Sequence, residues 1–171
     1  MKRLRMLSLV IAAVVAGYVW ANTRPAPLPA DAKADLLVVE KGQRKLLAYS
    51  HGVLLRSYSV SLGRETGPKL RQGDRRTPEG QYMVDSHNPN SSFHRALHVS
   101  YPSNADVARA RSAGYDPGGE IMVHGLHNGL GWIGRAHRFI DWTTGCVAVT
   151  DPEIEELYRI VPDGTRIELR P

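Results

Sequence analysis

Ile121-Met122-Val123-His124-Gly125 and Thr143-Thr144-Gly145-Cys146-Val147-Ala148-Val149 are two short apolar runs, each carrying one reactive side chain at its boundary. Runs this short, rich in β-branched residues and edged by glycine and threonine, read as buried strands. Cys146 is the only cysteine of the chain, and three of the seven histidines fall between Ile121 and Val149. A histidine closing one strand and a cysteine opening another can meet in space although 22 positions separate them. A thiol nucleophile and its base are commonly supplied this way, apart in sequence and adjacent in the fold.

Outward from these runs the pattern stays β-rich. Downstream, Thr150-Asp151-Pro152-Glu153 is a capping box with proline in the first turn. Ile154, Leu157, Tyr158 and Val161 then follow at helical spacing, and Pro162 stops the helix. Asp163-Gly164 turns into a final strand over Thr165–Leu169. Upstream, Asp116-Pro117-Gly118-Gly119 is a turn, Asn104 caps a predicted helix over Ala105–Ala113, and Ala96–Tyr101 alternates as a strand. Gln81–Asp85 is a strand after the turn Thr77-Pro78-Glu79-Gly80, with Arg64–Arg76 and Ser86–Ser92 as loops. Leu36–Val39, Lys45–Ser50 and Val53–Leu62 open the domain as a hairpin-like series, with His51-Gly52 as a turn.

The start of the chain differs in kind. Lys2, Arg3 and Arg5 precede 14 almost wholly apolar residues, Leu7–Trp20, and Ala21 offers a small residue for cleavage. Residues 1–21 therefore read as a secretory signal or a retained N-terminal membrane anchor, which places the body outside the cytoplasmic membrane. Residues 22–34, with Pro25, Pro27 and Pro29, read as a linker, and 35–169 as one folded domain. The 171-residue chain has a formal net charge of +5. Beyond residue 21 there are 19 Lys and Arg against 17 Asp and Glu, with no basic block interleaved with aromatics, so a nucleic-acid partner is not expected.

A lone cysteine in an exported protein has no partner within the chain, so burial, an intermolecular disulfide or chemistry must account for it. Thr143-Thr144-Gly145 before it does not look like core filling. Read as chemistry rather than as an inert buried thiol, Cys146 is the candidate nucleophile and His124 its candidate base, with a backbone carbonyl such as that of Gly125 able to set the imidazole tautomer and the Gly145 and Cys146 amides as natural oxyanion donors. His127 and His137 could join His124 and Cys146 around zinc, but they lack paired ligand spacing, so no metal and no organic cofactor is expected. His127 and His137 read as loop residues lining a cleft, and Asp141-Trp142 as orienting or packing the approach to Cys146. His51, His87, His94 and His98 read as scattered surface or loop residues, with His94 near enough to Tyr101 in sequence to line a site.

Four segments together resemble the L,D-transpeptidase catalytic domain (YkuD-type): Thr77-Pro78-Glu79-Gly80 with Tyr82, Val123-His124-Gly125, Thr143-Thr144-Gly145-Cys146, and Gly164-Thr165. The resemblance covers about residues 35–169. It implies a mainly β (α+β) fold, a β-sandwich of mixed strands with a few short helices. It also implies a cysteine nucleophile matching Cys146, a histidine base matching His124 and a supporting carbonyl falling on Gly125. The substrate it implies is the peptidoglycan stem peptide. Two positions depart from the family pattern: Thr144 stands where histidine precedes Gly-Cys, and Ala148 where arginine or asparagine is common. The spacer between the two motifs is also somewhat long. Asp141-Trp142-Thr143-Thr144-Gly145-Cys146, with Gly73-Asp74-Arg75-Arg76-Thr77-Pro78-Glu79-Gly80 and Ser100-Tyr101-Pro102, is similar to a divergent branch. That branch includes enzymes that hydrolyse the bond between peptidoglycan and a wall-attached lipoprotein. Thr144 donates one hydrogen bond but does not titrate, which bears on the acceptor step more than on acylation. The expectation is acyl transfer through a Cys146 thioester, the alternatives being hydrolysis of a lipoprotein linkage and a non-catalytic wall-binding module.

Overall fold

A computed structural model describes residues 2–23 and 25–171. Eight strands form one mixed sheet: β1 (Leu36–Glu40), β2 (Lys45–Ser50), β3 (Val53–Ser59), β4 (Gly80–Asn88), β5 (Ala96–Val99), β6 (Met122–His124), β7 (Val147–Ala148) and β8 (Thr165–Arg170). Their order is β3-β2-β1-β8-β4-β5-β6-β7. β1 with β8 and β6 with β7 are parallel, and the other neighbours are antiparallel. The two ends of this order touch. Ser61, just past β3, exchanges both backbone bonds with Ala148 of β7 at 3.0 and 2.8 Å. One hydrogen-bonded sheet thus curls on itself and encloses the core.

The third strand was expected to run to Leu62, but β3 stops at Ser59 because the chain leaves β2 to reach the opposite edge. β4 extends into Ser86-His87-Asn88, read from sequence as loop, since its backbone ladder continues to Leu97 and Ala96 of β5 whatever the side-chain polarity. His51 and Gly52, with φ of 49° and 81°, make the β2–β3 turn; positive φ at both central residues suits a tight hairpin. Leu37, Val38 and Val39 are all buried because β1 is paired on both sides, so the simple in–out alternation is lost.

Among the described residues there are three α-helices, α1 (Lys2–Asn22), α2 (Asn104–Ser112) and α3 (Asp151–Ile160), and one 3-10 segment, Gly131–Phe139. Ser103, not Asn104, caps α2: its oxygen accepts the Asp106 N–H while the Asp106 carboxylate accepts the Ser103 N–H at 2.9 Å. α3 starts as predicted, Glu153 Oε2 accepting the Thr150 N–H at 3.0 Å. It buries Ile154, Leu157 and Ile160 in the core beside Leu37, Val84, Leu97 and Val123. Leu157 has no exposed surface, and Leu157→Ala would cost about 2–5 kcal/mol.

Residues 25–34 have no regular secondary structure, yet they are not a free linker. Arg159 donates to the Pro29 and Ala30 carbonyls at 2.9 and 3.0 Å, and the Leu28 N–H donates to Glu156 at 3.2 Å. Leu28 and Ala32 pack against the core, so the segment is a strap laid on the domain.

Candidate active site

Period-two alternation positions the site. Val123 and Val147, paired in register, point into the core with no exposed surface. Their neighbours therefore share the opposite face. His124 pairs with Ala148, and the same register carried one step back sets Met122 beside Cys146. Cys146 and His124 are thus diagonal neighbours on one face of a parallel strand pair, and both line a cleft of about 540 Å³.

The turn before the nucleophile is tightly specified. Gly145 has φ of 138°, and a Cβ there would lie 2.8 Å from the Arg76 carbonyl oxygen. Only glycine tolerates both conditions. Thr143 staples the turn, its hydroxyl accepting the Gly145 N–H at 3.1 Å and donating to the Cys146 carbonyl at 2.8 Å. This occupies one of the two amides predicted for an oxyanion and leaves that of Cys146. Thr144 is exposed on the cleft rim.

His124 is buried, and its Nδ1 lies 2.7 Å from the Gly125 carbonyl. A carbonyl only accepts, so Nδ1 carries the proton and Nε2 keeps a free lone pair. Burial lowers the His124 pKa, which the Gly125 hydrogen bond partly opposes. Burial raises the Cys146 thiol, which the Met122 amide and the Lys69 charge partly oppose. Both shifts favour the uncharged pair at rest. The thiol lies 3.6 Å from the Glu120 carbonyl, and Glu120 holds an uncommon φ of 56°.

Of the other histidines weighed from sequence, His137 is buried away from the cleft and His127 is exposed. Nδ1 of His137 accepts from the Trp142 indole at 3.4 Å and lies 3.1 Å from the Ser61 hydroxyl, while its Nε2 is buried without a partner among the described residues. Burial, then the Arg138 charge, push its pKa down to about 4. Among the described residues no group of three or more His, Cys, Asp or Glu is placed to hold a metal. His94 bonds Glu155 at 2.7 Å, and its Cβ lies against Gly125.

Phe93 was missed from sequence. It packs on His124 at 4.5 Å and near Trp142 at 6.0 Å, forming one wall of the cleft. The available signal was its rarity, since it is one of two phenylalanines and sits alone in a polar loop. Asn88, Asn90, Ser91 and Ser92 line the same wall with amide and hydroxyl groups.

Comparison with known proteins bears on the family and the fold. The family model for the L,D-transpeptidase catalytic domain (YkuD) matches residues 34–169. The chain is 31% identical to YafK of Escherichia coli (strain K12) over 127 residues, 73% of this chain and 42% of that protein. It is 26% identical to YqjB of Bacillus subtilis (strain 168) over 144 residues, 82% of this chain and 72% of that protein. Among solved structures, the helical cell shape determining protein Pgp2 from Campylobacter jejuni has a TM-score of 0.59 at 21% identity, covering 90% of this chain and 53% of that one. Bd1075 of Bdellovibrio bacteriovorus has a TM-score of 0.53 at 23% identity, covering 85% of this chain and 52% of that one. The chain thus spans about half or less of YafK, Pgp2 and Bd1075. With the mixed curled sheet, the cleft and the matched residues 34–169 in agreement, the chain belongs to the L,D-transpeptidase catalytic domain (YkuD) family.

Proposed function

We propose that the protein is an exported cysteine acyl-transfer enzyme acting on peptidoglycan stem peptides, with Cys146 as nucleophile and His124 as acid and base. One observation carries this reading: Cys146 and His124 share a face of the β6–β7 pair at an open cleft, with Nδ1 of His124 locked and its Nε2 free. The resting pair is uncharged, so Nε2 takes the thiol proton as sulfur attacks the substrate amide carbonyl. The Cys146 amide receives the oxyanion. The imidazolium then protonates the leaving amine, and a thioester remains. A second amine resolves the thioester in transpeptidation.

Hydrolysis, which would release a wall-attached lipoprotein, is the second reading, favoured by Thr144. This residue sits on the rim with a hydroxyl that does not titrate, where the family commonly has histidine, so the site lacks a second base for an incoming amine. The test is to incubate the detergent-solubilised full-length chain with muropeptides, with and without a lipoprotein-derived peptide, beside Cys146→Ala. Cross-linked or amine-exchanged products by mass spectrometry establish the transferase. Products carrying one added water, without cross-links, establish the hydrolase. Full activity in Cys146→Ala overturns both.

α1 supports a retained anchor at the outer face of the cytoplasmic membrane. Its Arg5–Asn22 stretch is long and apolar enough to cross a bilayer. Trp20 stacks on Phe139 at 6.2 Å, and Asn22 donates to the Trp132 carbonyl at 3.2 Å. Ala21, the candidate cleavage residue, is buried against Gly134, where a Cβ would lie 2.3 Å from the Ala21 carbonyl oxygen. Exposed Trp132, Phe139 and Ile140 surround this contact, as befits residues at a lipid–water interface.

A further inference from the structure

The peptide that holds His124 has a carboxylate at its other end. The Gly125 carbonyl faces Nδ1 of His124 at 2.7 Å, and the N–H of the same peptide, on Leu126, donates to Asp151 Oδ1 at 2.8 Å. The peptide is planar and conjugated, so a charge on its N–H side increases electron density on its carbonyl oxygen.

We propose that Asp151 is a positioning residue for His124, acting through the Gly125–Leu126 peptide. Its carboxylate fixes the plane of the peptide so that the carbonyl meets Nδ1, and it strengthens that carbonyl as an acceptor. The result is a more basic Nε2 facing the thiol, achieved across one peptide group. The proposal rests on the reading of Cys146 and His124 as nucleophile and base.

Three features support it. First, Asp151 is not needed to cap α3, because Thr150 and Glu153 form that box. Second, two glycines leave room for this carboxylate. A Cβ at Gly125 would lie 2.8 Å from Oδ1, and one at Gly131 would lie 2.2 Å from Oδ2. Third, Asp151 occupies the first turn of α3, a position that suits an acidic side chain beside the helix N-terminus.

The other titratable groups around the site act differently. Cys146, just before β7, lines the same cleft as His124, and Glu120 and Lys69 act on the thiol. His137 approaches from the 3-10 segment Gly131–Phe139, and His127 lies across Phe93. His94 reaches Asp151 Oδ2 at 3.9 Å and is held by Glu155. Among the described residues, Asp151 is the one carboxylate bonded to the peptide that holds Nδ1.

Because Cys146 is the only cysteine, its alkylation by iodoacetamide reports the pair without any substrate. The rate is measured against pH in the full-length chain for wild type, Asp151→Asn, Gly131→Ala and His124→Asn. Asp151→Asn keeps an acceptor for the Leu126 N–H and removes the charge. It is expected to slow alkylation at neutral pH about three- to tenfold and to move the profile to higher pH. Gly131→Ala, which pushes the carboxylate from outside, is expected to move both in the same direction, and it serves if Asp151→Asn does not fold. An unchanged rate and profile in these variants, with His124→Asn slowed, overturns the role of Asp151 alone. No effect of His124→Asn overturns the base assignment and the proposal with it.

Discussion

His124 and His137 are both buried histidines whose pKa values are lowered first by burial, yet only His124 lines the cleft that Cys146 also lines. His124 ends a strand, donates a hydrogen bond from Nδ1 to a fixed carbonyl and lines the same cleft as Cys146. His137 lies in the 3-10 segment behind Trp142, its Nδ1 accepting from the indole and its Nε2 buried without a partner among the described residues. Burial and a shifted pKa therefore do not identify a catalytic base. Position relative to the cleft is what separates the two rings, and for His124 the strand register decides it.

The largest contrast comes from the thiol. Cys146→Ala is expected to abolish product formation while leaving the melting temperature near wild type, checked by mass spectrometry and circular dichroism. His124→Asn should slow turnover by about 10²- to 10⁴-fold, the usual contribution of general acid–base catalysis. His137→Phe should leave the alkylation rate of Cys146 close to wild type. A comparable loss in both histidine variants would erase the distinction between them.

Gly125→Ala probes what holds His124. The added Cβ would meet Asp151 Oδ1 at 2.8 Å, Ile154 at 3.0 Å and His94 at 3.1 Å. Overpacking of this kind costs about 1–3 kcal/mol, so chemical denaturation should show a lowered midpoint together with slower alkylation.

Smallest in rate, but visible in stability, is the acid response of His137. Unfolded, the ring titrates near 6.5; folded, burial first and Arg138 second hold it to about 4. As pH falls, the unfolded chain takes up the proton before the folded one. The neutral ring's stability is thus complete above pH 6.5 and is lost on the way down to about 4, by on the order of 3 kcal/mol. His124 contributes with the same sign. Denaturation midpoints from pH 7 to 4 should fall less steeply in His137→Phe, and an equal slope would show that His137 is not held neutral.

Much of this was legible in the chain. Short β-branched runs located the strands, i, i+3, i+4 spacing located α3, and Thr150 with Glu153 marked its cap, because these signals are local. The lone Cys146 after Gly145, with His124 ending another strand, marked the candidate pair, and the family resemblance placed the domain in a known fold. Local signals do not encode register. Only the parallel pairing of β6 with β7 decides that Cys146 and His124 share a face, since a slip of one residue would send His124 into the core. The closure of Ser61 on Ala148, the burial of His137, the strap over residues 25–34 and the carboxylate of Asp151 behind Gly125 join positions distant in sequence. Those contacts form when backbone hydrogen bonds and core packing are satisfied throughout the fold at once, which is why they belong to the tertiary structure.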